Sequence, residues 1–360
     1  MSTGHQAETK PVPDDGILSP DDIDLQLPPI GERPLVTFAV FAYNQEKYIR
    51  DAVEGAFAQT YQPLEIILSD DCSTDRTFEI MEEMAAAYYG PHTIRVRRHE
   101  VNVGTLAHLL GVAEVAGGDY LIVAAGDDVS LPERTSVLAG VLGDNECLAV
   151  SSSDTIIGHS GEILELAHDR EISRVAWRKN DPGWLHGATA GYRVKLLRNL
   201  PLPVARVLHE DRALSGIIRL TGGSTIYLSR PLIRYRWHAN NLSERIVCEE
   251  TIIQAELRQI GRNQHSLAAD EYSLKAVKDM RHRAEIRPDI DKLVRLIRWN
   301  KLFARWMELN RLEKITLLTL SAATGKLGRC LPRMFGQNFF VFCKKCDRAF
   351  SKYVATKISR

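Results

Sequence analysis

Pairs of adjacent carboxylates are the residues of this chain best suited to chemistry. Asp127 and Asp128 stand just after the apolar run Tyr120–Ala125. Neighbouring carboxylates repel each other unless a positive group lies beside them. The pair therefore indicates either a turn exposed to water or a bound cation. Mg²⁺ and Mn²⁺ prefer oxygen ligands, and Mg²⁺ typically uses one or two carboxylates together with the phosphates of its substrate.

Two further carboxylate pairs follow or begin other predicted elements. Asp70 ends the apolar run LEIILSD and Asp71 follows it, where a carboxylate can accept hydrogen bonds from a base or a sugar, or can serve only in a turn. Glu210 and Asp211 precede the predicted helix ALSGIIRL. A carboxylate there can act as a general base, or can merely stabilise the positive end of the helix.

Apolar runs alternate with segments of helical periodicity through the first part of the chain, which predicts strands separated by helices. The predicted strands are 35–42, 64–70, 93–99 and 120–125, and the predicted helices are 43–61, 73–89 and 105–115. This alternation predicts an α/β fold with a mostly parallel sheet, in which ligands bind at the carboxyl ends of the strands. Both aspartate pairs fall at such ends.

Polar residues mark the predicted helix starts, and the pattern changes after the fourth strand. Asn44 is the predicted cap of the first helix, and the second has three candidates, Ser73, Thr74 and Asp75. Residues 148–166 predict two short strands joined by a glycine turn, and the segments 187–197 and 224–237 flank the predicted helix that begins near Glu210. From Glu244 onward the sequence is typical of helices.

Common nucleotide motifs and several protein classes are excluded. The first strand is followed neither by GxGxxG nor by a P-loop, which argues against an NAD enzyme and a P-loop NTPase. The six cysteines are scattered, and the net charge of zero gives no general attraction to nucleic acid. The first 34 residues predict a disordered leader, and no apolar run is long enough to span a bilayer. We expect a soluble, cytoplasmic protein.

Several short motifs, in this order along the chain, are similar to those of family 2 glycosyltransferases of the GT-A fold. They are VTFAVFAYN, EIILSDDCSTDRT, NVG, GDYLIVAAGDD and, later, HED followed by YRWHANNLS. The resemblance covers about 35–243, which leaves 244–360 as a helical, basic C-terminal region. It implies an inverting enzyme that uses a nucleotide-diphosphate sugar together with Mn²⁺ or Mg²⁺.

The resemblance also implies a role for individual residues. The donor nucleotide is held by Ala42, Tyr43 and Asp71. Asp127 and Asp128 match the DXD-type motif, which binds the ribose and the divalent metal. Asp211 matches the catalytic base. His238 lies in the segment that commonly closes over the diphosphate, and it is a third candidate metal ligand.

Three further residues are candidates for the acceptor side of the site, namely Trp184, His186 and Glu210. Two departures from the family pattern concern the donor. Phe41 and Ala42 replace a proline and a hydroxyl residue, and the helix after NVG lacks the arginine that many members carry. The chain therefore lacks the hydroxyl and the arginine with which family members contact the nucleotide or its phosphates.

Two alternatives to a glycosyltransferase remain open from the sequence. A sugar-phosphate nucleotidyltransferase would need a phosphate loop rich in glycine and arginine after the first strand, where this chain has FAYNQEKY. A non-catalytic binding or scaffold protein could keep the same fold. The presence of Asp71, Asp127, Asp128 and Asp211 argues against that second alternative.

The C-terminal segment from Val294 to Arg360 is strongly basic, with fifteen lysines and arginines against three acidic residues. Apolar and aromatic residues are interleaved with these charges. Such a segment predicts an interfacial helix on an anionic membrane, or a set of helices that pack on the catalytic domain with a solvated basic face. We expect peripheral attachment to the inner face of the membrane, near a saccharide or lipid-linked saccharide acceptor, and no nucleic-acid binding.

Overall fold

The computed structural model describes residues 17–18, 27–165, 185–238, 241, 252–280, 290–303, 309 and 311–323. The chain divides into two compact units. The first contains the sheet and ends near Asn241, and the second contains most of the described C-terminal helices. None of the described helices is both long enough and apolar enough to cross a membrane.

The first unit is built on one sheet of ten strands among the described residues. The strands are β1 (Ile17–Leu18), β2 (Val36–Ala42), β3 (Leu64–Asp70), β4 (Thr93–Arg98), β5 (Tyr120–Ala125), β6 (Val129–Ser130), β7 (Ala149–Ile157), β8 (Ile163–Glu165), β9 (Gly191–Arg193) and β10 (Thr225–Arg236). The main order is β1-β10-β7-β9-β5-β2-β3-β4, with β6 beside β10 and β8 beside β7.

The sheet is mostly parallel, which confirms the predicted fold class. The four predicted strands β2, β3, β4 and β5 run parallel to one another, in the order β5-β2-β3-β4. Their carboxyl ends therefore meet at one edge, as the alternation of strands and helices requires. The short strand β9 is antiparallel to both β5 and β7 and joins the two parallel halves.

Six α-helices accompany this sheet in the described part of the first unit. They are α1 (Ile49–Phe57), α2 (Thr77–Ala86), α3 (Thr105–Val115), α4 (Arg134–Asp144), α5 (Val194–Arg198) and α6 (Glu210–Leu220). Apolar residues of β2, β3 and β5 pack with those of α1 and α4 in one buried core. A short 3₁₀ helix, Gly187–Thr189, precedes β9.

The predicted cap of the first helix is wrong. Asn44 has φ +53° and lies five residues before the first residue of α1, Ile49. Its side-chain oxygen accepts the N–H of Thr74 over 2.8 Å, so Asn44 connects two loops instead of capping the start of a helix. At α2, Asp75 does serve the helix start, because its Oδ1 accepts the N–H of Thr77 over 3.0 Å.

Part of the predicted disordered leader is ordered. Ile17 and Leu18 form β1, which pairs in parallel with Tyr227 and Leu228 of β10. Leu18 also packs against the main core. These two residues thus extend the sheet at the β10 edge.

The described C-terminal helices are α7 (Ile252–Met280), α8 (Ile290–Phe303) and α9 (Arg311–Ala323), which confirms the helical character of this region. Trp299 and Phe303 stack with ring centroids 4.5 Å apart and are fully buried with Leu309 and Leu317. The indole N–H of Trp299 donates to Ser321 Oγ over 2.8 Å. These aromatic residues therefore form a helical core, so they are not available as the apolar face of an interfacial helix.

Candidate active site

The Asp127–Asp128 pair lies in the turn between β5 and β6, and both residues are nearly buried. Asp128 Oδ1 accepts the backbone N–H of Arg236 over 2.8 Å. Asp127 Oδ2 lies 2.9 Å from Nε2 of His238. The structure thus brings three of the predicted metal-site residues together at the carboxyl ends of β5 and β10. The chain itself thus contacts one oxygen of each carboxylate.

Arg236, which the sequence did not single out, is the central residue of this cluster. Its guanidinium donates to the carbonyl oxygens of Asp127, Gly158 and His159 over 2.9, 3.3 and 3.0 Å. It also pairs with Asp51 Oδ2 over 2.6 Å. Because Arg236 is buried, these partners replace the water that its charge has lost.

An aromatic layer covers the guanidinium. The Tyr48 ring lies 5.0 Å from the Arg236 guanidinium carbon and stacks on His238, with ring centroids 4.7 Å apart. The Tyr48 hydroxyl lies 2.5 Å from Nδ1 of His159. Tyr48 lies inside the predicted helix 43–61, but in the structure it directly precedes α1, and its ring stacks on the histidine that faces Asp127.

The negative charge of Asp128 is poorly stabilised by the surrounding protein. Burial raises its pKa well above the usual range, and the charges of Asp127 and Asp154 raise it further. Its Oδ2 is buried and has no hydrogen-bond partner in the described part of the chain. Arg134 partly offsets this by its charge, and burial lowers the pKa of Arg134 to about 9.

These residues fit a hard divalent cation that is shared with a ligand. Among the described residues, no group of three or more His, Cys, Asp or Glu side chains is arranged to hold a metal by itself. The unpartnered Asp128 oxygen and the neighbouring Asp127 carboxylate supply oxygen ligands of the kind that Mg²⁺ and Mn²⁺ prefer. The remaining ligands would come from phosphate oxygens of a bound donor.

At the end of β3, Asp70 and Asp71 are both engaged by the protein. Asp70 accepts the N–H of Ser73 over 2.8 Å and pairs with Arg98 over 3.3 Å. Asp71 Oδ1 and Oδ2 accept the N–H groups of Val103 and Gly104 over 2.9 and 3.0 Å. Asp71, which was predicted to bind the nucleotide, thus holds the NVG loop. Only the remaining lone pairs of its carboxylate are available to a nucleotide.

The other two predicted donor contacts follow β2. Ala42 is buried, and its carbonyl oxygen accepts the N–H of Asp71 over 2.9 Å. Tyr43 is exposed by 44%, which leaves its ring accessible beside the strand ends. Of these two residues, only Tyr43 presents a side chain that a ligand can reach directly.

On the acceptor side, a buried aspartate connects the two halves of the site. Asp154 of β7 is fully buried, and its Oδ2 lies 3.3 Å from Nδ1 of the predicted acceptor residue His186. Asp154 is also close enough to raise the pKa of Asp128. The next residue, Gly187, lies against Glu210 and Asp211. A side chain at this position would clash, because its Cβ would lie 2.5 Å from Glu210 Oε1.

Glu210 and Asp211 form the first turn of α6, as predicted. Asp211 Oδ1 accepts the N–H of Arg212 over 2.7 Å, and the N–H of Gly187 also donates to this carboxylate. Burial, and then the charge of Asp211, raise the pKa of Glu210 to about 7. Burial also raises the pKa of Asp211. One carboxyl of the pair therefore tends to hold a proton near neutral pH while the other is ionised.

The start of α6 is fixed to the NVG loop that Asp71 holds. The Thr105 hydroxyl donates to the carbonyl oxygen of Val207 over 3.1 Å, and the N–H of Leu106 donates to the same oxygen over 3.2 Å. Thr105 also hydrogen-bonds to Glu210. Gly104, with φ +82°, leaves room for the side chain of Arg206. The predicted donor pocket and the predicted base thus share one loop.

The remaining predicted acceptor residue, Trp184, lies outside the described residues. Several residues of the site were missed by the sequence reasoning: Tyr48, Asp51, Arg134, Asp154, His159 and Arg236. Asp154 carries a detectable signal, because it is the one charged residue in the run 149–157. Arg236 carries none, because Arg230 and Arg234 precede it in the same segment, and the partners of both residues lie far away in the sequence.

A family model agrees with this arrangement. Residues 37–200 match the model described as glycosyl transferase family 2. This stretch of the chain is similar to family 2 glycosyltransferases. The matched segment contains Asp71, Asp127 and Asp128, whereas Asp211 and His238 lie beyond its end.

Curated relatives are similar over part of the chain. An uncharacterized protein of Mycobacterium tuberculosis is 44% identical over 143 residues, which are 39% of this chain and 39% of the relative. The glycosyltransferase GlyG of Streptococcus pneumoniae is 38% identical over 97 residues, which cover 26% of this chain and 31% of GlyG. The chain therefore spans less than half the length of these relatives.

A solved structure supports the GT-A fold of the domain. The mannosyltransferase PcManGT from Pyrobaculum calidifontis, in complex with GDP-Man and Mn²⁺, matches 92% of this chain and 85% of its own chain. The TM-score is 0.55 and the sequence identity is 17%. At this identity the likeness concerns the fold alone.

Proposed function

We propose that this protein is an inverting glycosyltransferase that moves a sugar from a nucleotide-diphosphate sugar to an acceptor hydroxyl. One observation carries the proposal. The Asp127–Asp128 pair and the Glu210–Asp211 pair are connected through Asp154, His186 and Gly187. A carboxylate pair suited to a cation and a carboxylate suited to proton transfer thus belong to one site.

The nucleotide-sugar is the donor that this site would take. Asp127 and Asp128, with His238 beside them, would hold Mn²⁺ or Mg²⁺ jointly with the diphosphate. A bound divalent cation stabilises the negative charge that develops on the departing nucleoside diphosphate. Ala42, Tyr43 and Asp71 would contact the nucleotide, Asp71 through the lone pairs that the NVG loop leaves available.

Asp211 is the proposed general base. A sugar hydroxyl is a poor nucleophile, so a carboxylate within hydrogen-bond reach must take its proton as it attacks. Glu210, with the higher pKa, would remain protonated beside it and limit the repulsion between the two carboxyls. His186, Glu210 and Trp184 would line the acceptor side. Attack opposite the leaving group gives inversion.

The biological setting is part of the same proposal. The relative RfbV of Salmonella typhimurium is an abequosyltransferase, 30% identical over 106 residues, which are 29% of this chain and 31% of RfbV. We include in the proposal a role in cell-surface polysaccharide or glycolipid synthesis, with a saccharide or lipid-linked saccharide acceptor. We assign catalysis to 35–243, at the cytoplasmic side of the membrane, and a supporting role to 244–360.

A thermal-shift panel tests the donor assignment. Nucleotides and nucleotide-sugars would be added to the full chain with Mn²⁺, with Mg²⁺ and with excess EDTA, because a ligand of the native state raises the melting temperature. We expect one nucleotide-sugar to raise it only when a divalent cation is present. A shift of equal size in EDTA would contradict the metal assignment. No shift with any nucleotide would favour a binding or scaffold protein.

A further inference from the structure

The segment that leads into the Glu210–Asp211 pair has an unusual composition. Residues 194–209 contain three basic residues, Lys195, Arg198 and Arg206, and neither aspartate nor glutamate. All three basic residues are exposed. The exposed surface of this segment is therefore positively charged, although the chain as a whole has no net charge.

The same segment exposes apolar side chains at its tip. Leu202 is 66% exposed and Val204 is 90% exposed, which places them among the most exposed large apolar residues of the described chain. They alternate with Pro201 and Pro203. Because proline has no backbone N–H, this tip has fewer donors that would lose water if it entered an apolar environment.

The exposed tip is fixed at both ends. On one side, the Arg198 guanidinium donates to the carbonyl oxygen of Ala113 over 2.9 Å and to that of Ala116. On the other side, Val207 is buried, and its carbonyl oxygen accepts from Thr105 and Leu106. Exposure of Leu202 and Val204 is thus a property of a loop with anchored ends.

We propose that the loop Leu200–Arg206 inserts its tip into the surface of an anionic bilayer. Leu202 and Val204 would enter the boundary between headgroups and acyl chains, while Lys195, Arg198 and Arg206 would contact anionic headgroups. Basic residues near such a surface and buried apolar side chains both favour binding, and the basic contribution weakens as salt rises.

This contact would place the proposed active site close to the membrane surface. Asp211 follows Arg206 by five residues, and its neighbour Glu210 is hydrogen-bonded to Thr105, which also binds the Val207 carbonyl at the end of this loop. The site would therefore face an acceptor whose reactive hydroxyl lies at the membrane surface, that is, a sugar or phosphate-sugar group carried on a lipid. This consequence rests on the proposed glycosyltransferase function, whereas the bilayer contact itself does not.

A second exposed apolar pair provides a matched control. Ile163 and Leu164 of β8 are 60% and 52% exposed, but they lie between Glu162 and Glu165. Their exposed apolar area is comparable, and the charge beside them has the opposite sign. An anionic bilayer should attract the first pair and not the second.

Hydrogen–deuterium exchange of the full chain tests the proposal locally. The probes are vesicles of phosphatidylcholine alone and vesicles that also contain phosphatidylglycerol. We expect slower exchange in 199–207 only with phosphatidylglycerol, and loss of this protection in high salt. Residues 158–164 should show no protection. Protection confined to residues beyond 294, equal protection by neutral vesicles, or no protection at all would overturn the proposal.

Vesicle sedimentation of two double variants measures how much the apolar tip contributes to the affinity for the bilayer. Leu202→Ser with Val204→Ser should weaken binding to the anionic vesicles by about tenfold or more, since apolar burial contributes strongly per methylene. Ile163→Ser with Leu164→Ser should bind like the unaltered chain. Equal weakening in both variants would contradict the loop assignment. Donor-induced thermal shifts, measured without vesicles, report separately on the proposed enzymatic function.

Discussion

The backbone N–H of Arg236 donates to Oδ1 of Asp128 over 2.8 Å, and its guanidinium donates to the carbonyl oxygen of Asp127 over 2.9 Å. One residue of β10 thus holds the turn that carries the proposed metal ligands. The remaining donors of the guanidinium bind Gly158, His159 and Asp51. The turn after β5 and the turn after β7 are therefore fixed to each other.

Arg236→Met tests this bracing role. Methionine keeps much of the apolar stem but leaves three carbonyl oxygens without their charged donor, so we expect a loss of about 2–4 kcal/mol in the free energy of unfolding. Metal-dependent donor binding should weaken as well. Urea denaturation and donor titration measure the two effects. Arg234→Met is the control, because Arg234 lies on the same strand and is exposed; similar losses in both variants would contradict the role.

Asp128→Asn should separate binding from stability. The raised pKa of Asp128 means that its ionised form is unfavourable in the fold, so stability contributed by the protonated form is lost as pH rises through that pKa. Asparagine can still accept the Arg236 N–H and carries no charge. We expect unchanged or higher stability at neutral pH and loss of the Mn²⁺-dependent thermal shift by a nucleotide-sugar. Asp119→Asn, at an exposed position, is the control. A normal shift in Asp128→Asn would remove Asp128 from the metal site.

The strands and the position of the aspartates could be predicted because they depend on local signals. Apolar runs such as 120–125 indicate buried strands, and parallel strands bring their carboxyl ends to one edge. The partners of the aspartates could not be predicted in this way. Arg234 and Arg236 have the same spacing that places residues on one face of a strand, yet only Arg236 is buried. The pairing of β10 with β7 is regular from Arg234 to Arg236, so the burial of Arg236 comes from its partners Asp51 and Asp127, which are distant in the sequence.

The acceptor side shows the same limit. Asp154 interrupts a strand of small and apolar residues, which marks it as unusual, but its partner His186 is brought near by the 3₁₀ helix that precedes β9. The pairing depends on tertiary contacts between segments that are distant in sequence. For Asp71, the sequence indicated an acceptor of hydrogen bonds, while the fold decides that backbone N–H groups at 103 and 104 donate to it.

Asp211→Asn tests the proposed base. The amide cannot take the proton of the acceptor hydroxyl, so turnover should fall by roughly 10²–10⁴-fold, as is typical when a general base is removed. The donor-induced thermal shift with Mn²⁺ should remain, because Asp211 is not among the proposed metal ligands. Transfer of radiolabelled sugar gives the rate. Glu210→Gln is the comparison: if it loses activity and Asp211→Asn does not, the base is Glu210.

The ionisation of Glu210 should contribute to the change of folding stability with pH. Its pKa is raised to about 7 by burial and by Asp211. The folded state therefore binds a proton that the unfolded chain releases near pH 4.5. Stability from this group is present at low pH and is lost as pH rises towards 7, by at most about 1.4 kcal/mol per pH unit. Glu210→Gln should flatten this slope in chemical denaturation at several pH values. An unchanged slope would assign it to other groups.

Thr105→Val tests whether the NVG loop positions the catalytic pair. Valine keeps the branched shape of threonine, but it removes the hydroxyl that binds Val207 and Glu210. The hydrogen bond from Thr105 lowers the pKa of Glu210, so its removal should move the midpoint of the stability profile to higher pH. We also expect kcat to fall about tenfold, because misplacement of a catalytic group by a fraction of an ångström is costly, while donor affinity stays unchanged.

The matched control for this variant is Thr93→Val, since Thr93 is exposed at the start of β4. A change in overall stability that is shared by both variants would reflect the loss of a hydroxyl in general. A shift of the pH midpoint confined to Thr105→Val, together with a lower kcat, would identify Thr105 as a positioning residue for Glu210 and Asp211. If Thr105→Val keeps both the midpoint and kcat of the unaltered chain, the loop held by Asp71 does not position the base. The donor and acceptor halves of the site then act independently.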